Sequence, residues 1–227
     1  MESVADKSDL YVYFPVFQRT RRWAELSPEQ REQTVAEAQG LLEQGGAVQV
    51  RGVYSTAGFR ADADLMMWWI SPSPDELQAR LAAFRRTALG ARLRLTHAFM
   101  GLHRPAEFNP EHVPAFVQGK APLRYLCVYP FVRTPEWYLL PPQERAAMLR
   151  EHGELARPYP DVLANTTSAF GLGDYEWVLA FETDDLGRLV DMIRALRSAK
   201  ARRYVSLETP FVTGIRKSLA EAVADLG

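Results

Sequence analysis

The sequence contains itself twice. Displaced by 114 positions (131 − 17), the stretch FPVFQRTRRWAELSPEQR lies over VYPFVRTPEWYLLPPQER, so that Phe17 meets Phe131, Arg19 meets Arg133, Thr20 meets Thr134 and Trp23 meets Trp137. Leu26, Pro28 and Arg31 meet Leu140, Pro142 and Arg145, which makes seven identities in the fifteen positions 17–31. That density is beyond chance. A repeat of this kind constrains the fold more than any local propensity, because each copy must be one supersecondary unit that packs against the other.

Both copies continue in the same order. A helix opens at Ser27-Pro28 and again at Pro141-Pro142, with proline near the first helical position and acids in the first turn. The first helix is expected to stop near Gln44, before Gly45-Gly46, and the second near Arg157, before Pro158 and Pro160. Strand-like runs follow at 47–53 and 65–70 in copy one and at 164–170 and 175–182 in copy two. A further helix then starts at Asp75-Glu76-Leu77 and at Asp184-Asp185-Leu186, and each copy closes on a strand, 93–100 and 204–211. Strand-helix-strand-strand-helix-strand is the ferredoxin-like pattern. Two such units predict an α+β protein in which duplicated ferredoxin-like repeats form a dimeric α+β barrel within one chain. Residues 1–110 would be the N-terminal repeat and 111–227 the C-terminal one.

Residues shared by both copies hold the fold; residues present in one copy are better candidates for chemistry. Under the same displacement Tyr129 falls on Pro15 and His152 falls on Ala38. Copy two therefore carries a phenol and an imidazole that copy one lacks, whereas Trp137 has a counterpart in Trp23. Met148, His152 and Leu155 follow i, i+4, i+7, so the imidazole shares an apolar helical stripe. A hydrogen-bonded core histidine is the ordinary explanation of such a position; its absence from copy one favours a ligand. One histidine without neighbouring Cys, Asp or His does not make a zinc site, but it suffices for a haem iron, whose macrocycle brings four nitrogens. His112 lies in the proline-flanked connection FNPEHVPAF, where a solvated histidine is the plain reading and a functional loop the alternative.

Composition excludes more than it suggests. The 227 residues are 47% hydrophobic and 24% charged with a net charge of −1, which gives no general argument for nucleic acid or an anionic membrane. Arginines outnumber lysines 23 to 4; arginine suits carboxylate recognition, although a GC-rich genome gives the same excess. The single cysteine, Cys127, lies in an apolar run and reads as a buried, inert thiol. No segment approaches the roughly 20 apolar residues needed to cross a bilayer, and the N-terminus has no signal core, so the expectation is a soluble, cytoplasmic protein.

The segments EHVPAF, YPFVRTPEW, REHGELARPYPDV and GLGDYEWVLAFE, separated and in order, resemble the coproheme decarboxylases of actinobacteria, members of the chlorite dismutase-like superfamily. The likeness spans residues 10–217. It implies that His152 is the proximal iron ligand, Tyr129 the tyrosine that becomes the radical oxidant and His112 the distal base for hydrogen peroxide. Trp137 would stand beside a reactive propionate and Arg133 would contact propionates. The implied substrate and redox cofactor is iron coproporphyrin III (coproheme), with haem b as product. The implied partners are peroxide, copies of the chain in a homopentamer and, in transient contact, the upstream ferrochelatase.

Other functions remain at this point. A chlorite dismutase would share the fold and the histidine but relies on a distal arginine, and no arginine occurs between Arg157 and Arg188, where the sequence reads VLANTTSAF. A haem carrier or sensor would keep His152 without needing Tyr129. A barrel without porphyrin would explain neither residue.

Overall fold

The computed structural model describes residues 9–105, 107 and 113–227. The expected boundary between residues 110 and 111 and the candidate base His112 lie outside the described residues.

Copy one runs β1 (Tyr11–Arg19), α1 (Arg21–Ala24), α2 (Pro28–Glu43), β2 (Gln49–Arg60), β3 (Ala63–Ser71), α3 (Pro74–Arg86) and β4 (Leu93–Leu102). Copy two runs β5 (Tyr125–Arg133), α4 (Pro135–Leu139), α5 (Pro142–Ala156), β6 (Leu163–Ser168), β7 (Trp177–Thr183), α6 (Leu186–Leu196), β8 (Val205–Leu207), β9 (Val212–Lys217) and α7 (Leu219–Ala224). The first strands, Tyr11–Arg19 and Tyr125–Arg133, are displaced by the same 114 residues as the sequence repeat (125 − 11). Local hydrogen bonds repeat too: Trp23 N–H donates to the Thr20 carbonyl and Trp137 N–H to the Thr134 carbonyl, 3.1 Å in each case.

Strands of copy one lie in the order β4-β1-β3-β2 and those of copy two in the order β9-β5-β7-β6, the ferredoxin-like arrangement twice. The two sheets meet edge to edge, through β2–β9 and β4–β6, and close an eight-stranded barrel. Closure removes the sheet edges that would otherwise invite pairing with other chains. Alternation along the strands then feeds two different layers. Val12, Phe14 and Val16 of β1, Met66, Trp68 and Ile70 of β3, and Leu126 and Val128 of β5 fill the barrel interior. Their neighbours Tyr13, Phe17, Leu65, Met67 and Trp69 face outward under the helices of copy one. Strands buried on both faces read as unbroken apolar runs, which is why β3 is spelled LMMWWI.

Helix starts follow sequence chemistry. Ser27 forms a capping box with Gln30 ahead of Pro28, Ser73 caps α3 and Asp185 caps α6. The closing element of copy two departs from expectation. Instead of one strand over 204–211 there are two short ones, interrupted at Glu208 to Phe211. Pro210, which has no N–H for a ladder, sits in the break. The strand that completes the barrel, β9, and the helix α7 were not foreseen, because VTGIRK alternates weakly. Gly214 in that strand is favoured by its neighbours: a Cβ there would lie 3.0 Å from the Ser55 carbonyl oxygen of β2.

Candidate active site

The two copies differ in how their helices meet the sheet. In copy one, α2 buries Thr34, Ala38 and Leu42, and α7 adds Leu219, Ala222 and Val223 to the same core. In copy two the equivalent helix, α5, buries no residue at all. Met148, His152 and Leu155 lie on it half-buried. What holds α5 in place is its packing on α6 and on the turn Lys200–Tyr204, where the Glu151 carboxylate accepts the Lys200 N–H at 3.1 Å. A 15-residue helix with an apolar stripe and no buried side chain leaves a face that a flat apolar group can cover.

Across from α5, the outward face of the copy-two sheet carries Cys127, Tyr129 and Phe181, with Ala164, Leu179 and Phe211 packed against them. Tyr129 is 5% exposed. Its ring stacks on Phe211 with centroids 4.2 Å apart and leans on Phe181 at 6.0 Å. Burial, reinforced by Cys127 and Glu208, drives its pKa well above the ordinary phenol range, so it stays protonated near neutral pH. Cys127 is buried as expected, and desolvation pushes its thiol up to about 11; it is not a thiolate nucleophile.

Arg133 ends β5, and Trp137 follows one turn later on α4. The guanidinium lies 4.1 Å from the Trp137 ring centroid and 4.6 Å from that of Phe131, and donates to the Ala201 carbonyl at 2.9 Å. Burial lowers its pKa to about 10, which still leaves it charged at neutral pH. Glu176 fixes this corner: one carboxylate oxygen accepts the Arg133 backbone N–H at 2.8 Å and the Tyr138 hydroxyl at 2.6 Å. A planar cation held between aromatic faces, with donors left over, is suited to a carboxylate.

His152 feels both sides of this arrangement. Desolvation, then the Arg133 charge, lowers its pKa from the usual histidine value, against the opposite pull of Glu208. The imidazole is therefore neutral at pH 7 and keeps a lone pair for a metal. Among the described residues no group of three His, Cys, Asp or Glu side chains could hold a metal ion on its own. An iron brought here must carry most of its donors with it, as a porphyrin does. The residue types fit such a group: one neutral imidazole, an apolar helix face and a half-buried guanidinium.

The structure thus brings Tyr129, Arg133, Trp137 and His152 to one side of copy two. It also adds residues that sequence reasoning passed over. Glu208 lies within electrostatic reach of Tyr129, Arg133 and His152, and is itself paired with Arg197 and, at 2.6 Å, with Arg202. Tyr204 packs on Trp137 at 5.7 Å. The Arg197–Glu208 spacing places both on the segment after α6, but nothing in the sequence says that the segment turns back toward β5. A surface depression of about 660 Å³ lies elsewhere, between α2, β2 and the start of α7. It is lined by side chains of both signs, Glu43, Glu221, Arg216 and Lys217 among them, and contains none of the residues above.

A duplicated ferredoxin-like barrel is the class of fold that these elements define, and comparison with known proteins says which family it belongs to. The chain belongs to the chlorite dismutase family, whose model matches residues 31–217. It is 52% identical over 201 residues, 87% of each chain, to the coproheme decarboxylase of Mycolicibacterium smegmatis. It is 26% identical over 211 residues, 85% of this chain and 84% of the other, to that of Thermus thermophilus. Among solved structures, the chlorite dismutase of Candidatus Nitrospira defluvii in complex with imidazole superposes with a TM-score of 0.87 at 28% identity, covering 96% of this chain and 94% of that one.

Proposed function

We propose that this chain is a coproheme decarboxylase, an enzyme that converts iron coproporphyrin III to haem b with hydrogen peroxide as oxidant. The observation that carries the reading is the contrast between α2, closed on its sheet over Ala38, and α5, open over His152; the 52% identity to a named coproheme decarboxylase supports the substrate. No helix among the described residues is long and apolar enough to cross a membrane, which agrees with an enzyme of the cytoplasm. A homopentamer and a transient contact with a ferrochelatase belong to the same reading.

The reaction balances for each propionate as CH₂CH₂COOH plus H₂O₂ giving a vinyl group, CO₂ and two waters. Bound between α5 and the sheet, the iron porphyrin supplies the redox chemistry with peroxide. The chain supplies the rest. His152 holds the iron from the helix side through its neutral nitrogen. Arg133 binds a propionate carboxylate by charge-assisted hydrogen bonds, and Trp137 walls that carboxylate's pocket. Tyr129, kept protonated by burial, gives up an electron together with its phenolic proton, and the resulting radical takes hydrogen from a propionate chain. His112 accepts the proton of peroxide.

Replacing Arg133 by Met keeps an unbranched apolar stem but removes the charge and the donors. A hydrogen bond to a charged group contributes about 1.5–3 kcal/mol. Arg133→Met should therefore raise the Kd for coproheme by about 10- to 100-fold and leave the affinity for an iron porphyrin without propionates unchanged. Equal affinity of variant and wild type for coproheme would remove Arg133 from carboxylate binding. For His112→Ala, stopped-flow mixing of the coproheme complex with peroxide should show the first oxidation slowed by about 10²–10⁴-fold, the range of general-base catalysis, with coproheme affinity preserved. An unchanged rate would assign the proton transfer elsewhere.

A further inference from the structure

The barrel has a seam. Strands β4 and β6 are joined through one residue pair, Leu102 with Ser168. Residues 113–124, part of the link between the copies, meet β6 near its other end, where the Ala115 N–H donates to the Ala164 carbonyl at 3.3 Å. Phe116 enters the barrel interior, 5.8 Å from Trp68 between ring centroids. The segment then turns tightly, with Lys120 N–H returning to the Ala115 carbonyl at 3.1 Å and Gly119 at φ +73°.

Three buried polar side chains grip this segment from inside. Arg51 of β2 and Asn165 of β6 occupy equivalent places in the repeat (165 − 51 = 114), and both donate to the same oxygen of Glu182: Arg51 at 2.8 Å from one nitrogen and 3.2 Å from another, Asn165 at 3.2 Å. Each of the three then reaches the linking segment. The Asn165 side-chain oxygen accepts the Phe116 N–H at 2.9 Å, Arg51 donates to the Lys120 carbonyl at 3.0 Å, and the second Glu182 oxygen accepts the Leu123 N–H at 3.3 Å. Glu182 is 0% exposed and Asn165 2%. A buried ion pair seldom adds net stability over apolar residues of the same volume. Its chemistry here is directed at three main-chain groups of a connection, and Asn165 donates in addition to the Ala180 carbonyl of β7 at 3.1 Å.

The gripped segment borders the proposed site. Ala164, whose carbonyl it caps, packs in the same outward cluster as Tyr129 and Phe181, and the first gripped residue, Phe116, follows His112 by four positions in the chain (116 − 112). We propose that Arg51, Asn165 and Glu182 are positioning residues for the peroxide step: from inside the barrel they fix the connection 113–124 at the β6 edge of the porphyrin site. Copy one, which carries no candidate catalytic residue, would thus contribute Arg51 to the reaction geometry. This inference rests on the function proposed above.

The test uses Asn165→Ala, which frees the Phe116 N–H and the Ala180 carbonyl and leaves the Arg51–Glu182 pair in place. In the ligand-free protein, amide exchange at Phe116 and its neighbours should accelerate by at least about tenfold while the other strands keep their protection. In the coproheme complex, Kd and the absorption spectrum of the His152-ligated iron should match wild type within about twofold, and the second-order rate with peroxide should fall by about 10- to 100-fold, the size expected for misplacing a reacting group by about 1 Å. Should Asn165→Ala fail to fold, Arg51→Lys, which keeps the charge but loses the forked contact with Glu182 and Lys120, reads the same grip through exchange over 120–123. Unchanged exchange over 113–124, an unchanged peroxide rate, or a Kd that weakens in step with the rate would each overturn the positioning role. Wild-type protein that neither binds nor oxidises coproheme would instead overturn the function, a result visible without any variant.

Discussion

Tyr129→Phe should bind coproheme, react with peroxide and yield no haem b. Phenylalanine preserves the stack on Phe211 and the contact with Phe181, and among the described residues no hydrogen bond to the Tyr129 hydroxyl is lost. The change should therefore alter stability by less than about 1 kcal/mol, the net contribution of a single hydrogen bond, and the melting curve should stay where it is. What disappears is the O–H. A phenol held protonated by burial can lose an electron only with its proton, and a phenyl ring has neither the accessible potential nor the proton to do so. Oxidising equivalents taken up from peroxide then have no path to a propionate, so carbon dioxide release should fall to background and the porphyrin should bleach. Vinyl products at wild-type yield would transfer the radical role to another side chain, with Trp137, which stacks on Arg133, the next candidate.

His152→Ala should abolish axial ligation by the chain and leave the fold intact. The repeat has already performed a version of this experiment, since Ala38 occupies the equivalent position and α2 is a well-formed helix there. Alanine is also the best helix former, and α5 buries nothing that the substitution would uncover. The ferric and ferrous absorption spectra should shift to those of an iron porphyrin lacking a protein nitrogen, and added imidazole should restore the wild-type spectrum. The same residue sets a pH dependence. Because burial and Arg133 lower its pKa, protonation competes with iron only below that depressed value, so ligation in wild type should persist unchanged as pH falls from 7.5 through 6.5, the pKa of a free histidine. Loss of the ligated spectrum near 6.5, or a His152→Ala spectrum identical to wild type, would contradict the assignment.

The architecture was legible because duplication removes ambiguity. A strand or helix read weakly in one copy is supported by its counterpart, and the 114-residue displacement that aligned Trp23 with Trp137 also aligns β1 with β5 to the residue. The same displacement exposed His152 and Tyr129 as departures from symmetry. The strand β9 escaped notice for a physical reason: its partners β2 and β5 are distant in sequence and supply the apolar contacts that its own polar residues do not advertise. Glu208 escaped for a similar one. Its relation to Tyr129, Arg133 and His152 depends on a break in the closing strand, and no periodicity reports where a broken strand turns. Arg51 and Glu182 fall within strand-like runs, and that they point inward and meet follows only once the barrel is closed.

The decisive measurement is the mass of the porphyrin. Purified protein loaded with iron coproporphyrin III is titrated with hydrogen peroxide, and the bound porphyrin is followed by mass spectrometry after each addition. A coproheme decarboxylase built as described should show two successive losses, each corresponding to one carboxylate and its hydrogens leaving as carbon dioxide and water, with the mass settling at haem b. Coproheme that binds, consumes peroxide and keeps its four carboxylates until it bleaches would contradict the proposed function.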